Sequence, residues 1–540
     1  MTRQRTNADA IAAVLRAAGV RRAMGIPSGQ ILALIEALRR QGIEFVLVSH
    51  EATAGFMADV LGRLTGIPGV AIATVGPGAT NLTTGIGNAL LDRSPALAIT
   101  GQVPLAQLHR RVQMRIDHQA LFRPLSKASF QLVGGDVAGQ VAAALRLAVA
   151  EPPGPVHLDL PEDVAVAPAA EGPAPPRFRP GVLDESPPPA EDDLRRVADR
   201  LRQARRPVAA LGFSLYRTGA LDALRRFLEA QRLPFVTTNM AKGVVPEDHP
   251  LWLGVVGRAR RQTIEAYLAQ ADLVIGLGYD PVEIGYEEWM PPVPLLHVAG
   301  EPADLDPAVR LEAQAVGRLA DALEWLAALP PRATEWDPAE HARFRARLEA
   351  SLRLPGAGFQ PWEALDAMRA LFPPDGILCC DVGAHTHLVA TQWRVTVPET
   401  LLVSNGWSSM GYAIPAALAA KLARPERPVA AVMGDGCFLM MAGELATAAR
   451  LGLPIPFVIL NDRALALIKV KQERRRYAYS GIDLPLARER FPEHYFGVPL
   501  RVARNVEEFR AAFAAALRAD GPTVIEALVD PALYSAILYG

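Results

Sequence analysis

The chain has 540 residues, half of them apolar, with a formal net charge of −1. That length is too great for one hydrophobic core and calls for about three domains. The charge balance leaves no electrostatic footprint for nucleic acid, KVKQERRR at 469–476 being only a local basic run. No apolar stretch reaches the ~20 residues of a membrane span, and MTRQRTNADAIAAVLRAAGV at the start is an amphipathic helix pattern rather than a secretion signal. The three cysteines, Cys379, Cys380 and Cys437, suit neither a disulfide framework nor a spaced metal site. The expectation is a soluble, cytoplasmic protein with neither nucleic-acid nor membrane partners.

From Thr6 the pattern is a helix, then a short strand ending in GIPSG (25–29), with the next helix (31–40) opening directly after the glycine turn. A second α/β unit follows: a strand at 45–48, then Ser49-His50-Glu51 opening a helix over 52–65. On local grounds Glu51 favours the positive end of that helix. GVAIATVGPGATNLTTGIGNALLDRSPALAITGQVP (69–104) is again strand, G-x-G turn, helix and strand, and Asn81 there reads locally as a helix cap. Residues 105–130, with Gln113, Met114, Asp117, His118 and Arg123, have no clear period. They are expected to form a loop over a site, with His118 exposed on it. A strand at 155–160 closes a first domain, 1–165.

Eight prolines between 168 and 189 make a semi-rigid linker. The central domain, 190–328, has strands at 208–212, 235–238, 273–278 and 295–298 alternating with helices, a smaller parallel sheet. Gly276-Leu277-Gly278 follows a strand, but Tyr279-Asp280-Pro281 cannot open the helix of a dinucleotide fingerprint, so this is a turn. A second linker spans 330–361 and contains a helix at 340–352.

The third domain, 355–540, begins with a helix (361–371) and a strand (376–380) that runs into Asp381-Val382-Gly383-Ala384-His385. SNGWSSMGYAIPAALAA (404–420) enters a helix through a Gly/Ser-rich turn, where Met410 would ordinarily be a core filler. Then come an apolar strand (429–433), a turn at Gly434-Asp435-Gly436, a helix to about 450, an apolar strand (455–460) and Asn461-Asp462. This repeats the layout of 69–104, so two similar α/β halves flank the middle domain. Parallel strands covered on both faces are continuously apolar, and ligands lie beyond their carboxyl ends. Asp435 and Asp462 offer hard oxygens at that edge and the glycines admit close backbone approach, which together suit a Mg2+ diphosphate.

GDG followed some two dozen residues later by ND resembles the thiamine diphosphate (ThDP) motif, commonly GDG and NN, and the chain resembles the acetolactate synthases over nearly its whole length. The resemblance implies the ThDP-enzyme fold: three α/β domains, each a doubly wound, mainly parallel sheet, binding the pyrimidine, serving as the centre, and binding the diphosphate. It implies metal ligation by Asp435, Asp462 and the Ala464 carbonyl, the Asp at 462 being a variation associated with the catabolic enzymes. SHEATAGFMADVLGRLTG resembles the segment with the catalytic glutamate, here Glu51, which bonds N1′ of the aminopyrimidine. By the same match Thr74, Pro77 and Asn81 line the pyrimidine pocket, with Pro27, Ser28 and Gly29 beside them. Gly383, Ala384 and His385 contact the diphosphate, and Ser408, Gly434, Gly436, Cys437 and Leu467 are further cofactor-binding residues by the same match. Met410 props the cofactor in its bent form, and Leu467 and Ile468 face the reacting centre.

The chain departs from the family at Gln113-Met114, where a Gln or His-Gln pair is expected, at Ala384, often Gln, and at Lys471, where biosynthetic relatives carry Trp. GLGYDPVEIGYEEW resembles the FAD-free catabolic enzymes, so FAD is not expected. The implied activity is decarboxylation of a 2-oxo acid, pyruvate foremost, and carboligation to a second carbonyl, with sites at the subunit interface of a homodimer or homotetramer. The alternatives are a 2-oxo acid decarboxylase, a carboligase with another acceptor, and a non-catalytic paralogue, the last disfavoured by the presence of Glu51, Asp435 and Asp462.

Overall fold

The computed structural model describes residues 4–170, 181, 184–484 and 491–539. Three sheets follow one another along the chain. The first holds β1 (Arg22–Gly25), β2 (Glu44–Leu47), β3 (Gly69–Ala73), β4 (Ala96–Gln102), β5 (Ala128–Gln131) and β6 (Pro155–Pro161) in the order β2-β1-β3-β4-β6-β5. The second holds β7 (Pro207–Leu211), β8 (Phe235–Thr237), β9 (Trp252–Val255), β10 (Leu273–Leu277), β11 (Leu295–Ala299) and β12 (Leu311–Val316) in the order β12-β11-β10-β7-β8-β9. The third holds β13 (Ile377–Cys380), β14 (Leu401–Val403), β15 (Val429–Gly434), β16 (Pro456–Asn461), β17 (His494–Tyr495), β18 (Val498–Ala503) and β19 (Thr523–Leu528), ordered β14-β13-β15-β16-β19-β18-β17. All pairings are parallel except β17 with β18 at an edge.

In each sheet the first strand has its successor on one side and a later strand on the other: β1 between β2 and β3, β7 between β8 and β10, β13 between β14 and β15. Connections that leave to opposite faces open a crevice beyond the carboxyl ends of the two diverging strands. The fold therefore builds three such crevices.

The first and third domains share one apolar core in which the helices Glu51–Thr65 and Ala413–Ala423 meet, Phe56 lying edge-on to Tyr412 at 5.7 Å. The helices Glu51–Thr65 and Pro77–Leu91 cross where a Cβ on Gly55 would stand 2.7 Å from the Gly85 Cα, so both contact points must be glycine. At the far end of this pair Arg63 lies between Asp59 and Asp92, 3.4 Å from each, and Asp92 accepts the amides of Asn405 and Gly406. The helix pair thus holds the 404–410 turn of the third domain.

The expected elements hold with local corrections. Gly434 ends β15 and Asp435 opens the helix Asp435–Met441 with no separate turn, and the helix expected to reach 450 is broken by a 3-10 turn at Ala442–Glu444. Residues 105–130 are not all loop, because they contain the helix His118–Phe122 and β5. The central sheet has two further edge strands: β12 (LEAQAV) is only half-buried and lacks an apolar run, and β9 is four residues long. Gly276-Leu277-Gly278 does end in a turn, with only a 3-10 segment at Tyr286–Glu288 beyond it. Among the described residues no helix is long and apolar enough to cross a membrane.

Candidate active site

The crevice of the third domain is a cleft of about 260 Å³. Gly383, Ala384, His385, Ser408, Met410, Gly434, Asp435, Gly436, Cys437, Asp462, Ala464 and Leu467 all line it, as do Ile468 and Lys471. They converge because β13, β15 and β16 are neighbours and each runs directly into one of these segments. Asp381, just past β13, accepts the amides of Val382 (2.8 Å), Gly411 (2.9 Å) and Ala413 (2.9 Å), tying the strand end to the segment that holds Met410 in the cleft. The positioning role of Asp381 is not visible in the sequence, because Gly411 and Ala413 lie thirty residues or more away.

Asp435 accepts the Gly436 amide (2.9 Å) and the Arg463 amide (2.8 Å), and Asp462 accepts the Ala464 amide (3.1 Å). Arg463, between them, has the left-handed φ of 64°. Burial pushes the Asp435 carboxyl up to about 6, and burial together with the Asp435 charge pushes Asp462 up to about 8. Two carboxyls kept from ionising freely, both first by burial and Asp462 also by the Asp435 charge, are what a divalent cation would relieve. Behind them Glu526 accepts from the Asn461 amide nitrogen (2.6 Å) and the Tyr495 hydroxyl (3.0 Å), bracing the turn.

The rest of the cleft suits an anion. The helix Ala384–Gln392 begins on it, and its unsatisfied amides with the helix dipole favour negative charge. His385 is buried, held neutral by burial that lowers it to about 4, and its Nε2 has no partner among the described residues. A Cβ on Gly434 would come within 3.4 Å of that ring, and one on Gly436 within 2.7 Å of Leu465 Cδ2, so the glycines keep the floor open. An orphaned buried nitrogen, a glycine floor and an acid pair fit a metal diphosphate.

A second constellation lies in the first domain. Glu51 is the first residue of its helix and 7% exposed, with His50 capping the helix through Nδ1 to the Ala52 amide (3.1 Å). The Asn81 side-chain amide donates to Glu51 Oε2 (3.0 Å), and Gly78 abuts Oε1, a Cβ there standing 3.2 Å away. Asn81 sits inside the helix Pro77–Leu91 and is not a cap, which corrects the local expectation. Thr74 donates to Gln30 Oε1 (3.2 Å), and Pro27, Ser28 and Gly29 follow β1 at the same edge, the Ser28 hydroxyl being buried without a partner among the described residues. His118 is 1% exposed rather than exposed on a loop, and its Nε2 accepts the Gly76 amide (3.1 Å).

Among the described residues the cleft is lined by the third domain alone. Glu444 accepts the amides of Ser49 (2.9 Å) and His50 (3.0 Å), so the Glu51 helix docks at the end of the Asp435 helix opposite to Asp435. The cleft and the Glu51 constellation are thus separate features of one chain.

The central crevice is a larger cavity of about 570 Å³, but its chemistry differs. Of its cations, Arg93 is bonded to Asp280 (2.8 Å) and Arg217 to Glu151, and Glu301 and Asp304 add further negative charge.

The sequence matches, in chain order, the thiamine pyrophosphate enzyme N-terminal TPP binding domain over residues 5–121, the central domain over 194–326 and the C-terminal TPP binding domain over 381–527. The acetolactate synthase of Bacillus subtilis is 30% identical over 534 residues, 95% of this chain and 91% of its own. The catabolic acetolactate synthase of Raoultella terrigena is 31% identical over 536 residues, 97% and 95% of the two chains. The acetolactate synthase large subunit of Corynebacterium glutamicum is 34% identical over 480 residues, 86% and 76%. The chain belongs to the thiamine diphosphate-dependent acetolactate synthase family. Within that family's three-domain α/β fold, the cleft and the Glu51 constellation fall in the two matched TPP binding domains and the larger cavity touches the central one.

Proposed function

We propose that this protein binds ThDP and Mg2+ and catalyses decarboxylation of a 2-oxo acid, pyruvate foremost, with carboligation to a second carbonyl compound, as an acetolactate synthase does. The observation that carries the proposal is the meeting of Asp435, Asp462 and the orphaned His385 Nε2 in one glycine-floored cleft. Asp435, Asp462 and the Ala464 carbonyl would hold the metal, and Gly383, Ala384, His385, Ser408, Gly434, Gly436 and Cys437 the diphosphate. When bound, ThDP would supply a carbon nucleophile and an electron sink for the bonding pair left behind as CO2 departs.

The protein's part is proton handling, orientation and choice of acceptor. Glu51 would hold and move the proton at the aminopyrimidine N1′; Asn81 fixes one of its oxygens and Gly78 leaves room at the other. Pro27, Ser28, Gly29, Thr74 and Pro77 would complete the pyrimidine pocket. Met410 would enforce the bent form, and Leu467, Ile468 and Lys471 would meet the substrates at the cleft mouth.

Separate half-sites support an obligate homodimer or a homotetramer in which Glu51 of one copy serves the cleft of another. Apolar side chains left exposed beside the cleft, Met440 at 56% and Leu439 at 44%, support association with a second copy. FAD is not part of the proposal: the arginines of the central cavity are already paired with carboxylates, which disfavours a diphosphate there. The domain boundaries we propose are 1–165, 190–328 and 355–540, and the compartment the cytoplasm. Incubation with pyruvate, ThDP and Mg2+ followed by product analysis tests the activity. Acetolactate is expected; acetaldehyde alone would make the protein a decarboxylase, and absence of CO2 release would refute the proposal.

A further inference from the structure

A buried polar cluster of the first domain is not used by the activity proposed above. His118, His157 and Asp159 bring their ligand atoms within 4.8 Å of one another. The arrangement is a completed hydrogen-bond network rather than a cation cage. The Thr100 hydroxyl already stands among the three, 2.8 Å from His157 Nε2, 2.9 Å from Asp159 Oδ1 and 3.1 Å from His118 Nδ1. His118 Nδ1 and Asp159 Oδ1 are 2.8 Å apart, a hydrogen bond, and Ser129 engages His157 Nδ1 at 2.8 Å.

The proton positions follow from the partners. The Gly76 N–H donates to His118 Nε2, so that nitrogen carries no proton and Nδ1–H must be the donor to Asp159. The Asp159 carboxylate accepts from His118, from Thr100 and, at 3.2 Å, from Gln102. Burial holds His157 neutral by lowering it to about 3, and the ring is stacked on Phe122 at 4.1 Å.

What His118 grips lies beside Glu51. Gly76 has φ +68° in the turn between β3 and the helix Pro77–Leu91, two residues before Gly78 and five before Asn81. The 109–117 segment crosses this turn so closely that a Cβ on Gly76 would be 2.3 Å from the Met114 carbonyl oxygen. Met114 itself is left-handed at φ 66°, and Gln102 reaches the Ile116 carbonyl at 3.4 Å.

We propose that His118 is a positioning residue: with its tautomer set by Asp159, it clips the 109–117 segment to the 74–78 turn and so fixes the pocket in which Glu51 meets the cofactor pyrimidine. The pyrimidine part rests on the function proposed above; the clip itself does not. His118→Leu removes both bonds. Asp159→Asn is isosteric, but an amide has one oxygen where three donors converge, so a donor is left facing a donor toward either His118 or Gln102. His118→Gln keeps an acceptor for the Gly76 amide.

The test begins with the cofactor-free protein. Hydrogen–deuterium exchange of peptides covering Gly76 and the rate of tryptic cleavage at Arg110, Arg111 and Arg115 are compared at matched thermal midpoints. Both are expected to rise about tenfold in His118→Leu and Asp159→Asn, with most of the change reversed in His118→Gln. In titrations the ThDP dissociation constant should rise by a similar factor, while kcat at saturating ThDP changes less than threefold. Folded variants with wild-type exchange at Gly76 and wild-type cleavage would overturn the clip. Faster exchange with unchanged ThDP affinity would overturn its link to the pocket. Failure of the wild type to bind ThDP would instead overturn the proposed function, leaving the exchange result to judge the clip.

Discussion

Replacing Asp462 by Asn isolates what the second carboxylate does, because the amide keeps an oxygen to accept the Ala464 amide while removing the charge. In the metal-free protein Asp462 is held at about 8 and Asp435 at about 6, both raised first by burial. At pH 7 the first is some nine-tenths protonated and the second some one-tenth, so binding a cation must expel about one proton. In Asp462→Asn only the Asp435 fraction remains, about a tenth of a proton. The affinity of the wild type for Mg2+ with ThDP should therefore climb about tenfold per pH unit between pH 6 and 8, roughly 1.4 kcal/mol per unit. That of the variant should be nearly flat above pH 7. The wild type should bind at least tenfold more tightly at pH 8.5, an advantage that disappears near pH 6. Calorimetry in two buffers of different ionisation enthalpy counts the protons, and protons carried by the ligand cancel between the two proteins. Parallel pH curves with equal proton release would show that Asp462 is not a metal ligand.

Three further outcomes are expected. Lys471 lines the mouth of the cleft, so Lys471→Ala should raise the KM of an anionic acceptor three- to tenfold while the first-turnover rate of CO2 release stays constant; an unchanged acceptor KM would return Lys471 to the solvated surface. Glu283, bonded to the Phe213 amide and the Thr238 hydroxyl, is pushed by burial up to about 8. Its folded value lies above its unfolded one, so stability is lost as pH rises from about 4.5 through 8, by up to roughly 1.4 kcal/mol per unit. Glu283→Gln should match the wild type in thermal midpoint at pH 5 and exceed it at pH 8.5, and equal midpoints at both would contradict the assignment. Lastly, Glu51→Gln and Asp435→Ala should each be nearly inactive alone yet regain activity when their subunits are exchanged, and no recovery after proven exchange would argue for sites within one chain.

Much of the candidate site was legible because its signals are local. An apolar run followed by Gly-Asp-Gly or Asn-Asp marks a parallel strand and the turn beyond it, and every such strand in the sheet ends at the same edge. That alone points Asp435 and Asp462 to one edge, and both line the same cleft. Leu467 and Ile468 were expected there from the resemblance to the family, and both line the cleft together with Lys471. The edge strands β9 and β12 were not legible, since β12 is half-buried and carries no apolar run and β9 is only four residues long.

What the tertiary structure decided depends on neighbours distant in sequence. Asn81, a cap by local pattern, finds Glu51 thirty residues away because two helices cross at paired glycines. His118 became a buried clip because β6 places Asp159, forty-one residues on, beside β4 and its Thr100. The parting of Glu51 from the acid pair also follows from packing, since Glu444 seats the start of the Glu51 helix at the far end of the Asp435 helix. Periodicity and turn chemistry report a residue's own backbone and burial, whereas the partner of a buried polar group is fixed by strand order and domain docking, which no local window contains.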